Sequence, residues 1–322
     1  MIMQNNSDFF NRPLVLTPGF TLPSRAILSP MEGIMNRENF FNAARTLRLI
    51  DSWMPPFIGI PAGAVPRDVT LKKRFSFFLD SGIPFTVQLL GHDPDSLAET
   101  AGALYRIGVR SVNLNCACPS KTVLASTSGG MLLKQPEIII ETLQKIRRNV
   151  PDICVSLKLR SGFRDPDELK ELLAAVREGG IHWVIHHYRT VSEEYRDLPR
   201  QEAVRRLQIV GEELKTIPFF ANGDIVSPGD AELYRAETLC SGIAVGRGIL
   251  NDPFLLRRLR TGETVDPGLK QKFLHLLTSG IPGKRGEHFY LECVKMAYGA
   301  DSPEFCAALT EQKNRRVGKS RE

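Results

Sequence analysis

The sequence is poor in features that would tie it to a membrane, an export route or a metal. No apolar run in its 322 residues approaches the ~18 needed to span a bilayer. The opening stretch, MIMQNNSDFF, lacks the basic start and apolar core of a signal peptide, so a cytoplasmic chain is expected. Six cysteines (116, 118, 154, 240, 293 and 306) are scattered, and only Cys116 and Cys118 lie close together. In the cytoplasm they remain thiols. No set of ligands has the spacing of a zinc site, so neither a metal nor a membrane partner is expected.

What is present is the composition of a soluble globular protein, 42% hydrophobic and 24% charged. A chain of this size buries a large core without disulfides or metals. The net charge is +6, and most of the excess is local: residues 255–322 hold 13 Lys and Arg against 8 Asp and Glu. A basic end fits either a polyanionic partner, RNA first, or a solvated helical surface.

Short apolar or β-branched runs recur: AILSPMEG (26–33), FIGI (57–60), FTVQLLG (85–91), SVNLNCACP (111–119), ICVSLKLRSG (153–162), WVIHHYRT (183–190), PFFANGDI (218–225) and GIAVGRG (242–248). Helical patterns fall between most of them, at 95–106, 136–148, 167–178, 200–215 and 228–235, several opening with Pro or Asp. Eightfold strand–helix alternation predicts an α/β fold, and the count favours a closed (β/α)8 TIM barrel over an open sheet. Residues 13–25 read as a hairpin able to plug the barrel bottom. The alternation stops after Arg260, and helical patterns near 269–278, 286–299 and 303–313 predict a small helical domain. The expected division is 1–260 and 261–322.

Active sites of this fold form at the C-terminal strand ends. That rule selects residues 31–33, Gln88, residues 115–119, Lys158, Arg160, His187, residues 222–224 and residues 246–248. The ANGDI and VGRG segments offer glycines, backbone N–H groups and Arg247, which suit a phosphate. Lys158 and Arg160 share one strand face and so point together into the mouth, implying an electron-rich ligand such as a flavin, or else an ion pair with a carboxylate. Cys118, held by Pro119, is a candidate acid or nucleophile, while Cys116 reads as packing. His186 and His187 face opposite ways, one inward and one towards the helices.

Taken together, these segments resemble the tRNA-dihydrouridine synthase family, from about Leu22 to Asn251 and more weakly into the tail. SPMEG resembles its flavin-facing first strand (Pro30, Met31, Glu32), VQLLG the segment whose glutamine meets the flavin (Gln88), and LNCACPSKTV its signature. The CPSKTV run is closest to the C-type bacterial subfamily. The resemblance implies FMN as cofactor, NADPH as reductant and tRNA as partner of a monomeric enzyme. It makes Cys118 the general acid that protonates C5 of a uridine while hydride reaches C6. Lys158, His187, Asn222, Gly223, Asp224, Gly246 and Arg247 then hold the cofactor, and Asn115, Arg160 and Tyr195 face the substrate. The helical tail would bind RNA. The chain departs from the family pattern in reading HYRT for HGRT, Glu193–Glu194 for a glutamine–glycine pair, in lacking a tryptophan after the sixth strand, and in its short tail. A small-molecule FMN reductase and a non-catalytic RNA-binding barrel are the competing readings.

Overall fold

The computed structural model describes residues 7–31, 38–279 and 283–319. Helix α1 (Ser7–Phe10) precedes an antiparallel hairpin, β1 (Leu14–Thr17) and β2 (Phe20–Leu22). Eight strands then form one sheet: β3 (Ala26–Leu28), β4 (Ile58–Gly59), β5 (Val87–Leu90), β6 (Ser111–Cys116), β7 (Cys154–Arg160), β8 (Trp183–His187), β9 (Phe219–Asn222) and β10 (Gly242–Val245). All pairings in it are parallel and follow chain order from β4 to β10, and β3 pairs with β10. A first strand beside the last makes the sheet curl on itself as a TIM barrel does. The β3 strand is shorter than its apolar run because Pro30 has no N–H to give a ladder.

Helices α2 (Glu38–Thr46), α3 (Asp68–Asp80), α4 (Pro94–Arg106), α5 (Lys121–Ala125), α6 (Pro136–Asn149), α7 (Leu169–Glu178), α8 (Arg200–Leu214) and α9 (Pro228–Glu237) fill the connections. Proline opens α4, α6 and α9, and a Ser227–Asp230 capping box closes the first turn of α9, matching the start signals in the sequence.

Strand alternation sorts the apolar residues into two clusters. Val184, Phe219, Ala221, Ile243 and Val245 belong to the core between sheet and helices. Trp183, Ile185, Phe220 and Ala244 alternate with them and meet Ile27, Cys154 and Met54 in the second cluster, which also takes in Phe20 and Leu22 of the hairpin. The hairpin therefore closes the lower end of the barrel.

Helices α10 (Gly248–Asn251) and α11 (Leu255–Thr261) complete the barrel, and α12 (Pro267–Thr278), α13 (Gly283–Tyr298) and α14 (Pro303–Lys319) follow. Asn39 on α2 donates to the carbonyls of Leu277 (2.9 Å) and Ser279 (3.2 Å). Phe254 meets Phe273 edge to face at 5.5 Å. Phe273, Leu277 and Cys293 lie in the same apolar cluster as the barrel's helix-facing residues, so tail and barrel share one core. No helix among the described residues is long and apolar enough to cross a membrane.

Candidate active site

The strand ends converge on one cavity of about 830 Å³. Its walls hold Pro30 and Met31 after β3, Gln88 on β5, Asn115 and Cys118 at the end of β6, Lys158 and Arg160 on β7, and His187 on β8. Tyr195, Asn222, Gly223, Asp224, Gly246 and Arg247 complete it. Of the strand-end residues expected from the sequence, Glu32 and Gly33 lie outside the described residues, and Cys116 does not line the cavity.

Cys118 is half-buried. Its backbone N–H and that of Ala117 both donate to Asn115 Oδ1 at 3.0 Å. The Gly130 N–H donates to the Cys118 carbonyl at 3.0 Å. Gly129 adopts φ +61°, and a Cβ there would fall 3.1 Å from Cys118 Cβ, so glycine lets the loop fold back onto the cysteine. Asn115, expected to face the substrate, thus has its carbonyl engaged in holding the cysteine segment and keeps only part of its amide for a ligand. Cys116 is fully buried, and burial pushes its thiol far above the ordinary range, which fits packing.

Lys158 has no hydrogen-bond or ion-pair partner among the described residues, which removes the structural ion pair as its explanation there. Burial first, then the Arg160 charge, pulls its ammonium down to about 7, with Cys118 acting the other way. Arg160 is 2% exposed. Its Nε donates to the Ala117 carbonyl, and its Nη1 to the carbonyls of Thr190 and Glu194, each at 2.9 Å. It lines the cavity, but its hydrogen bonds staple the cysteine loop to the loop after β8. That loop presents Tyr195, a half-exposed ring with Arg247 at 4.4 Å and Arg160 at 5.6 Å from its centroid.

The two histidines divide as alternation requires. His186 is buried on the helix side against Ser161 Oγ at 3.0 Å, and burial lowers it to about 3. His187 faces the cavity. Burial, followed by the charges of Arg160 and Lys158, keeps it neutral. Its Nδ1 accepts the Arg189 N–H at 3.2 Å, so Nε2 carries the hydrogen.

The departures from the family pattern are built into the site. Asp224 accepts from Tyr188 Oη and Arg189 Nη2, both at 2.5 Å, and from Arg247 Nη2 at 3.3 Å. Burial would raise its carboxyl, but the hydrogen bonds from Arg189 and Tyr188 hold it below the usual range. The carboxylate is therefore engaged within the protein, which leaves the Asp224 backbone for any phosphate. Tyr188 stacks on His187 and occupies the space opposite Gly223, whose φ is +118° and whose Cβ would fall 2.6 Å from the tyrosine ring. Glu193 accepts from Arg206 at 2.7 and 3.0 Å and from the Thr190 N–H at 2.7 Å, bracing the same loop.

This arrangement suits a planar, electron-rich ligand: a half-buried lysine without an ion-pair partner, a thiol, and glycine-lined loops where backbone can approach a phosphate. A model of the dihydrouridine synthase family matches residues 27–295. The chain belongs to the dihydrouridine synthase family. The tRNA-dihydrouridine(16) synthase of Haemophilus influenzae is 36% identical, covering 76% of this chain and 79% of that protein. Its namesake from Pseudomonas putida is 37% identical, with 78% of each covered. These relatives agree with the C-type subfamily indicated by the CPSKTV run. Among solved structures, the old yellow enzyme of Trypanosoma cruzi superposes with a TM-score of 0.60 at 10% identity, covering 84% of this chain and 96% of that one. A 2-naphthoyl-CoA reductase gives 0.63 at 12% identity, covering 80% of this chain and 53% of that one. At such identity the likeness concerns the fold. Asn113, Ser156, Arg189 and Arg206 went unassigned in the sequence. The first had a visible signal, since Ser111, Asn113 and Asn115 alternate polar side chains along one strand face.

Proposed function

We propose that this dihydrouridine synthase reduces a tRNA uridine to 5,6-dihydrouridine, at position 16 as in the relatives named for it, using FMN and NADPH. The observation that carries this reading is the single cavity in which Cys118, the unpaired Lys158, Gln88 and the glycine loops after β9 and β10 meet. The residues fit FMN. A side chain at Gly246 would meet nothing closer than Met31 Sδ at 3.9 Å, so the loop is open to a phosphate. The volume also falls within the usual range for ligand sites of roughly 300–1,000 Å³.

When bound and reduced, FMN supplies the hydride for C6 of the uracil. The chain's own residues do the rest. Cys118 Sγ donates a proton to C5, and the Asn115 hydrogen bonds fix the loop that presents it. The Lys158 charge stabilises negative charge developing on the ring system. Neutral His187 offers a fixed Nε2–H donor. Gly223, Gly246, Arg247 and the Asp224 backbone receive the phosphate. Tyr195, backed by two guanidinium groups, forms the lip met by an extruded nucleotide. The basic helices beyond residue 260 add phosphate contacts and make binding salt-dependent.

The test is mass spectrometry of tRNA from a strain lacking the gene, complemented with the wild type or with Cys118→Ala. Loss of dihydrouridine in the deletion, restored by the wild type alone, is the expected result. Unchanged dihydrouridine in the deletion strain, together with turnover of a small enone or free pyrimidine, would replace the reading with a small-molecule reductase.

A further inference from the structure

Beneath Cys118 the polar wall continues into a chain of buried amides. Asn115, whose Oδ1 holds the Ala117 and Cys118 N–H groups, donates through Nδ2 to Gln88 Oε1 at 3.0 Å. Gln88 Nε2 donates to Asn113 Oδ1 at 2.7 Å, and Asn113 Nδ2 donates to Ser156 Oγ at 2.9 Å. Ser156 Oγ donates to the Val112 carbonyl at 3.1 Å. Asn113 and Ser156 are fully buried, and neither lines the cavity.

The two ends of this chain are backbone groups, each with one possible role. The N–H groups can only donate, and the Val112 carbonyl can only accept. A primary amide has nearly the same shape either way round, so its direction must come from its partners. The direction is set from the N–H end, and Ser156, which gives its one hydrogen to Val112 and accepts from Asn113, agrees with it. The Asn113 carbonyl then accepts from Gln88, and the Gln88 carbonyl from Asn115. Turning Gln88 over would set donor against donor at Asn115 and acceptor against acceptor at Asn113, which is costly where no water can intervene.

We propose that Asn113 and Ser156 are positioning residues that lock Gln88 and Asn115 with both carbonyls engaged and one N–H each free for the cavity, so that the wall beside Cys118 selects the acceptor edge of a planar heterocycle. Carbonyl oxygens and imine nitrogens fit such a wall, and a ring N–H does not. The proposal rests on the flavin and uridine reading above.

Asn113→Leu keeps the volume and leaves Gln88 Nε2 without its acceptor. Asn113→Asp keeps the acceptor, and Ser156 can turn its hydroxyl towards it. Full-length proteins are stripped of flavin and titrated with FMN, the absorption spectrum of the bound flavin is recorded, and kcat and KM are measured on an unmodified tRNA transcript. Asn113→Leu should shift the flavin spectrum and lower kcat about tenfold, the equivalent of one misplaced hydrogen bond, with little change in KM. Asn113→Asp should restore both, and Ser156→Ala should show a smaller change in the same direction. Wild-type spectra and kcat in Asn113→Leu, or an Asp variant as impaired as the Leu variant, would overturn the proposal. Should Asn113→Leu not fold, Ser156→Ala decides, a wild-type spectrum and kcat again overturning it. A wild-type protein that bound no FMN would sink the reading and the proposal together, whereas an unaffected variant sinks the proposal alone.

Discussion

Along β8, β9, β10 and β3 the side chains that fill the barrel below the cavity-lining His187 and Asn222 are Trp183, Ile185, Phe220, Ala244 and Ile27. Across the barrel, β5, β6 and β7 turn inward Gln88, Ser111, Asn113, Asn115, Ser156 and Lys158, with Thr86 just before β5. Thr86 donates to Ser111 at 2.9 Å, and the amide chain links the residues above them. The first half fills space and answers to volume. The second buries polar groups, which cost stability unless each finds a partner, and it gains direction in return. The apolar half lies under the glycine loops read as a phosphate site. The polar half lies under Cys118 and Lys158, where an orientation error would matter most. One barrel thus separates holding from aiming.

Three substitutions test that division, and the largest effect belongs to the polar half. Cys118→Ala should lower uridine reduction by about 10²–10⁴-fold, the range for a general acid, while FMN stays bound. Single-turnover reoxidation of prereduced protein by tRNA measures it, and a wild-type rate would remove the cysteine from the chemistry. In the apolar half, fully buried Trp183→Ala should cost roughly 3–5 kcal/mol of stability. Turnover per folded molecule, scored beside urea denaturation, should hold; if it falls in step with stability, the two halves are not separable. The last test is a pH dependence. Lys158 is lowered by burial from 10.5 to about 7. Between those values the folded flavin-free protein binds fewer protons than the unfolded chain, so its stability rises with pH across that window. The destabilisation is fully present below it. Melting temperatures from pH 6 to pH 10 should therefore show the wild type gaining on Lys158→Met as pH rises, and parallel curves would mean that Lys158 is better solvated than its burial implies.

The strands and most helices were legible because parallel strands, buried on both faces, carry apolar runs that helical periodicity interrupts. Residues 136–148 became α6 nearly end to end, whereas β4 shrank to Ile58–Gly59 within a Pro- and Gly-rich stretch. The cavity residues were legible because strand ends are where this fold places polar groups. Their partners were not. Tyr188 reaches Asp224 across 36 positions, and Arg206 reaches Glu193 from the next helix, contacts that no local pattern encodes. Hence Tyr188 and Glu193 read as bare departures, although each has a partner. The seam at Phe273 and Leu277 was equally invisible. Because tail and barrel share that core, truncation at residue 260 would strip apolar surface along with any RNA contact, and point changes are the cleaner probe.

Phe20 and Leu22 stopper the base of the barrel, so among the described residues the cavity opens at the strand-end side. On the proposed chemistry, a hydride donor and an RNA nucleotide would then approach the cavity from the same side, beside Tyr195. Excess reductant would then crowd out tRNA instead of hastening its reduction. The enzyme's pace in the cell would follow the balance between its two visitors more than the abundance of either.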